Sequence, residues 1–374
     1  MKKFINRKTV EQNAALFLAA LLLLFLSGCG GGTPAERSEP DNGESAVAQA
    51  DAETAAQNDG DTDADTASLQ GGTDSDTAES DGVTIRVAAL KGPTAMGLVK
   101  LMSDAENDDG YEFTLAASPD EIAPRLIQGE FDVACVPANL AAVLYNRTQS
   151  EIVTLAVNTL GVLYIVEKGG AVQSIEDLRG MTIAASGKGS TPEYALRYLL
   201  SENGLDPDTD VFIDWKSEHS ECVTALATGA ATLALLPQPF VTVAENNVED
   251  LRVALDLTWE WNALNNGSTL ITGVAAARRD FVTEHPTAVA RFLADYAASV
   301  DWVNANASGA AALIGAADIV PAPIAEKALP HCNIVCLTGD EMSAILPGYL
   351  SVLYDAAPDS VGGALPDADF YYHP

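Results

Sequence analysis

Residues 82–374 predict an α/β protein built as two lobes, and three observations carry that prediction. Short apolar runs alternate with amphipathic stretches of helical period, the pattern of sheets covered by helices. The alternation starts at Ile85 and begins afresh at Thr182. Two further β-type stretches, with their crossings near 156–165 and 268–275, stand where a chain would pass from one lobe to the other and return. The expected extents are about 83–160 with 272–374 for one lobe and about 161–271 for the other.

In the first round the pattern predicts strands at Ile85–Leu90, Tyr111–Ala117 and Asp132–Pro137. Helices are predicted over Thr94–Ser103, Pro119–Gln128 and Asn139–Tyr145, and one long β segment over Thr154–Glu167. A βαβαβ series of this kind argues for a mainly parallel sheet. The second round predicts strands at Thr182–Ser186, Val211–Trp215, Thr232–Leu236 and Arg252–Leu257, with Thr269–Ala277 following. Its helices are Pro192–Asn203, closed by Gly204, then Ser220–Thr228, and a third from Pro239 to about Glu245. The last third reads as helical over His285–Asn304, Gly309–Ala316, Pro323–Lys327 and Asp340–Tyr354. In open α/β sheets, ligands sit beyond the carboxyl ends of strands. The loops after Leu90, Ala117, Pro137, Ser186, Trp215 and Pro237 should therefore line an interlobe cleft.

The N-terminus carries a different message. Lys2, Lys3, Arg7 and Lys8 precede an apolar run from Ala14 to Leu26, and Leu26-Ser27-Gly28-Cys29 follows. A basic leader, a short apolar core and small residues at its end describe a secretory signal. The run is too short for a comfortable membrane span of about 20 residues. The final four residues resemble the bacterial lipobox, which implies that residues 1–28 are removed and that Cys29 is lipidated. Two acyl chains hold a protein stably on a membrane. The expected location is the extracytoplasmic face of the cell membrane.

Residues 29–82 read as an acidic linker. Between 34 and 81 there are 14 Asp and Glu and one base, Arg37, with almost no large apolar side chain. Such a segment buries too little to offset its ordering entropy. As a flexible coil it would reach on the order of 40 Å. The whole chain carries a net charge of −33; the leader's +3 and the linker's −13 leave −23 for residues 82–374. A core this acidic repels phosphate backbones and argues against nucleic-acid binding.

Chemistry-bearing motifs are sparse. His219, His285, His331 and His373 are scattered, and no Ser/His/Asp or HExxH spacing occurs. Cys135 and Cys222 lie in apolar runs and read as buried thiols. Export permits a Cys332–Cys336 disulfide without requiring it. His331-Cys332 with Cys336 fits no standard zinc spacing, so neither metal nor cofactor is expected. The loop Ser186-Gly187-Lys188-Gly189-Ser190-Thr191 ends a strand and opens a helix. Its glycines let the backbone approach a ligand, and its hydroxyls and helix N–H groups suit an oxyanion. Read structurally, the same residues are a turn with Thr191 as N-cap and Pro192 at N1. Gly92, Pro93 and Thr94 end the first strand in the same manner. Asn139 is expected to cap the helix after Pro137. Asn158 and Thr159 lie on the first crossing, Gln238 is placed to bond a ligand and Phe240 to stack on it. Trp259 and Trp261 suit stacking platforms, though hinge or surface packing explains them as well.

These residues resemble a known family. The run Gly180-Met-Thr-Ile-Ala-Ala-Ser-Gly-Lys-Gly-Ser-Thr191, continued by Leu196-Arg197, Leu199-Leu200 and Gly204-Leu205-Asp206-Pro207, is similar to solute-binding proteins of ABC importers of the nitrate, sulfonate and thiamine-precursor group, called NMT1/THI5-like or SsuA-like. Leu126–Ala134, Ala225–Gly229 and Val172–Gly180 match the same pattern. The resemblance implies a type II periplasmic-binding fold with two hinge strands, a small-molecule solute, an ABC permease and ATPase as partners, and no enzymatic activity. A monomer tied to the membrane by its lipid is expected. The alternatives are a surface sensor or scavenger, discriminated by whether permease genes adjoin, and an enzyme related to pyrimidine synthesis, which shares the fold.

Overall fold

In the computed structural model, residues 82–107 and 110–374 are described; the leader, Cys29 and the acidic linker lie outside them. The first round gives β1 (Ile85–Leu90), α1 (Pro93–Met96), α2 (Val99–Asp104), β2 (Tyr111–Ala116), α3 (Pro119–Ile127), β3 (Val133–Pro137), α4 (Ala138–Arg147) and β4 (Ile152–Leu160). β5 (Leu163–Lys168), β6 (Thr182–Ala185), α5 (Thr191–Glu202), β7 (Phe212–Trp215), α6 (His219–Thr228), β8 (Leu233–Pro237), α7 (Phe240–Asn247), β9 (Leu251–Asp256) and α8 (Leu257–Ala263) form the second. The chain then returns through β10 (Ile271–Arg278) and continues as α9 (Arg279–Glu284), α10 (Pro286–Ala305), α11 (Ala307–Ala316), α12 (Ala322–Ala328), β11 (Ile334–Thr338) and α13 (Gly339–Ala356).

Two sheets result, one per lobe. The first runs β11-β4-β10-β3-β1-β2, the second β7-β6-β8-β5-β9. β1 is parallel to β2 and β3, and β6 to β7 and β8. The crossing strands run the other way: β10 is antiparallel to β3 and β4, and β5 to β8 and β9. Each sheet is therefore mixed, not mainly parallel, because each lobe takes in a strand arriving from its neighbour.

Local chemistry fixes several boundaries. Ser118 begins α3 with a capping box: its hydroxyl accepts from the Asp120 amide, and Glu121 accepts from the Ser118 amide. α6 ends at Gly229, whose φ of 74° only glycine adopts without strain. The expected long β segment over Thr154–Glu167 breaks at Gly161 and Val162, where φ is 62° and 64°. Two left-handed residues in succession turn the chain out of one sheet and into the other. A side chain at Gly161 would collide with Thr258, since a Cβ there would lie 2.2 Å from its Oγ1.

Other expectations need correction. The helix expected over Thr94–Ser103 is two pieces, parted at Gly97 and Leu98, where a Cβ on Gly97 would lie 3.0–3.2 Å from Ile334, Val300 and Tyr296. α8 and β11 had no periodic signal of their own. α8 is seven residues long and starts on a tertiary cue, Asp256 accepting from the Thr258 and Trp259 amides. β11 exists because β4 offers it an edge. Thr191 is not the N-cap of α5; Ser190 holds that position and turns its hydroxyl back to the Gly187 carbonyl. Asn139 lies inside the first turn of α4, which Pro137 caps in position.

One apolar cluster runs through both lobes, and each lobe holds a further cluster of its own. Trp261 is fully buried, its ring centroid 4.9 Å from that of Tyr198 on α5 and 5.7 Å from that of Tyr349 on α13. Burying a Trp of 150–250 Å² removes about 4–6 kcal/mol of unfavourable hydration at 25 cal/mol per Å². Trp259, two residues earlier, points the other way and is 76% exposed. The four cysteines of the described residues are free; Cys135, Cys222 and Cys332 are buried, and Cys332 Sγ packs 3.9 Å from Met96 Sδ. No helix among the described residues is long and apolar enough to cross a membrane.

Candidate functional site: the interlobe cleft

A cavity of about 110 Å³ opens between the two sheets. Each of the six loops anticipated at the strand ends contributes to its wall: Lys91, Pro93 and Thr94; Ala117 and Pro119; Pro137; Ser186, Gly187, Ser190 and Thr191; Ser217, Glu218 and His219; and Pro237. Val162, Leu163 and Thr272 supply the crossings. The wall is mainly apolar, much of it proline rings, with polar atoms concentrated where α5 and α6 begin.

Of the residues anticipated to contact a ligand, Pro93, Thr94, Ser186, Ser190 and Thr191 line this cavity. Gly92, Asn139, Asn158, Thr159, Gly189, Gln238 and Phe240 stand outside the wall, each with a local reason. Gly92, with φ 138°, allows the turn into α1. Asn139 is fully buried and bridges the lobes, its amide donating to the carbonyls of Ser360 at 3.0 Å and Gly189 at 3.3 Å. Gly189 itself is exposed. Asn158 and Thr159 bond to each other at 3.0 Å behind Gly273. Gln238 turns inward, its Oε1 accepting from Thr242 at 2.9 Å. Phe240 packs its ring 5.1 Å from that of His219.

The residue that sequence reasoning missed is His219. It opens α6, directly after the loop that follows Trp215, one of the six expected at the cleft, but without neighbours of catalytic spacing it gave no separate signal. In three dimensions Ser186 Oγ lies 2.5 Å from His219 Nδ1. Burial disfavours the charged ring and lowers its pKa to about 4, so the imidazole is neutral at physiological pH. Thr94 and Ser190 spend their hydroxyl protons on the carbonyls of Leu90 and Gly187. Ser186 differs, since its partner is a ring that exists in two tautomers. If Nδ1 accepts from Ser186, the ring's hydrogen sits on Nε2; if Nδ1 donates, the serine hydroxyl keeps its own hydrogen to donate elsewhere. In either state one hydrogen, on Nε2 or on Oγ, is not spent within the pair. Glu218 also reaches the wall, its carboxylate accepting from Ser220 Oγ. Among the described residues no group of three or more His, Cys, Asp or Glu is disposed to hold a metal ion.

The architecture has known counterparts. An ABC transporter protein from Parabacteroides distasonis superposes with a TM-score of 0.65 at 23% identity, covering 78% of this chain and 99% of that one. The periplasmic aliphatic sulphonate-binding protein SsuA from Escherichia coli superposes with a TM-score of 0.63 at 17% identity, covering 78% and 92%. The alkanesulfonate-binding protein SsuA from Xanthomonas axonopodis pv. citri, bound to MOPS, superposes with a TM-score of 0.60 at 14% identity, covering 77% and 96%. These likenesses establish the two-lobed, type II periplasmic-binding fold. No curated protein sequence matches the chain. A family profile described as ABC transporter, phosphonate, periplasmic substrate-binding protein matches residues 98–323, more than half of the chain, and the protein therefore belongs to that family of extracytoplasmic solute-binding components of ABC importers.

Proposed function

We propose that the cleft captures a small organic solute bearing one oxyanionic or strongly accepting head group, without chemical change, and presents it to the permease. The observation that carries this reading is the Ser186–His219 pair in the cavity wall, at the end of β6 and the beginning of α6. It offers a free donor hydrogen with no fixed positive charge, and helix N-termini favour negative charge beside it. Beyond the head group, Pro119, Pro137, Pro237, Val162 and Leu163 offer an apolar surface to the body of the solute. The sulfonate ligands named for the SsuA proteins belong to the same chemical class. Among the described residues no carboxylate is bonded to the His219 ring, which speaks against a nucleophilic triad.

The receptor works by closing its lobes about the crossings at Gly161-Val162 and before β10. The leader sequence and Leu26-Ser27-Gly28-Cys29 support anchoring through lipidated Cys29. A thermal-shift screen of the chain against small phosphonates, sulfonates, nitrate and heteroaromatic acids tests the ligand class. A true ligand at 100 times its dissociation constant should stabilise by about 2.7 kcal/mol. Stabilisation by neutral sugars or cations alone, with every oxyanion silent, would overturn the reading.

A further inference from the structure

Lys91 is the only lysine or arginine among the described residues lining the cavity, and its charge is engaged elsewhere. Its Nζ lies 2.9 Å from Asp318 Oδ2. Asp318 occupies the turn between α11 and α12 with φ 53°, and its side chain is 95% exposed. The Lys91 backbone is fixed, its amide donating to the Ala116 carbonyl at 2.8 Å. The chain thus holds a long cationic side chain at the cleft wall, on an immobile base, against a partner that stands almost wholly in water.

We propose that Lys91 is the counter-charge of the bound solute, held in reserve by Asp318 and transferred to the head group when the cleft fills. This rests on the oxyanion reading above and deepens it by naming the group that makes anionic solutes bind better than neutral ones. The exchange is physically cheap. An exposed ion pair is worth little, because water screens it and two side chains must be ordered to make it. The same ammonium against an oxyanion within a water-poor cavity makes a charge-assisted hydrogen bond in a lower dielectric. The four rotatable bonds of lysine permit the swing with the backbone at rest. Asp318 is then a competitor for Lys91 that sets how much of the cation is available to a solute.

Isothermal titration of the full chain tests this, with phosphate, methylphosphonate, ethanesulfonate and nitrate as probes and the tightest of them carried forward. Asp318→Asn should tighten binding about two- to fivefold, the full worth of an exposed pair. Lys91→Met, which keeps the stem, should weaken it tenfold or more and flatten its salt dependence. In the double variant the gain from Asp318→Asn should vanish, which separates release of Lys91 from mere removal of a negative charge. Wild-type affinity in Lys91→Met, or a gain from Asp318→Asn that survives it, would overturn the proposal. His219→Gln separates the two levels of inference. If His219→Gln weakens binding while both Lys91 and Asp318 variants are silent, the reserve charge is wrong and the oxyanion site stands. If all variants bind as wild type, or none of the four anions binds, the site reading falls with it.

Discussion

Replacing His219 by Gln should change how stability depends on pH, and in one direction only. In the folded protein the ring's pKa is about 4, against an ordinary value of 6.5, because burial penalises the imidazolium. The unfolded chain therefore binds more protons than the folded one between these values, and stability falls as pH falls. The contribution is fully present above pH 6.5 and is lost on the way down to about 4. Each pH unit within that window costs about 1.4 kcal/mol. Allowing for partial titration at the edges, lowering the pH from 7 to 5.5 should cost about 1 kcal/mol, and lowering it to 4.5 about 2 kcal/mol. Urea unfolding of the wild type and His219→Gln at these three pH values measures the difference, and carboxylate titration common to both chains cancels. Glutamine retains a group able to bond Ser186 and carries no titrating proton. The wild type should lose the stated stability relative to the variant. Parallel curves would refute a desolvated, neutral His219, and with it the argument that the cleft offers a donor without a charge.

Two further outcomes follow from the glycines at the crossings. Gly161→Ala demands a left-handed alanine whose Cβ would fall 2.2 Å from Thr258 Oγ1, so it should destabilise the fold by about 1–2 kcal/mol or more, read from the urea midpoint. Gly273→Ala should act on binding, because its Cβ would lie 2.4 Å from Asn158 Oδ1 and 2.6 Å from Thr94 Cγ2, and Thr94 lines the cavity. Overpacking of this kind costs about 1–3 kcal/mol, and titration calorimetry should show weakened solute binding in a chain that still folds; unchanged affinity would mean that Thr94 does not touch the solute.

The sequence by itself determined the alternation of elements, the repetition of the pattern and the loops that face the cleft. Those features follow from hydrophobic period and from glycine and proline, which act over a few residues. It also marked the α5 loop, since a strand, a glycine-rich turn and a helix must be contiguous to form such a structure. Only the tertiary structure decided which of these residues reach the cavity. Asn158 and Gln238 were plausible contacts because they are polar and near the cleft, yet each is turned inward by a partner: Thr159 beside Asn158, and Thr242 one helical turn beyond Gln238. The Ser186–His219 pair joins residues 33 positions apart, and the Lys91–Asp318 pair residues 227 apart. Distances of that kind have no periodic or local signature. They arise within each lobe, where β6 and β7 lie side by side and carry Ser186 and His219 beyond their adjoining ends, and where the returning chain brings Asp318 back to the end of β1, and because a partly buried imidazole sheds its charge, a property set by the surroundings of the ring and not by its neighbours in the chain.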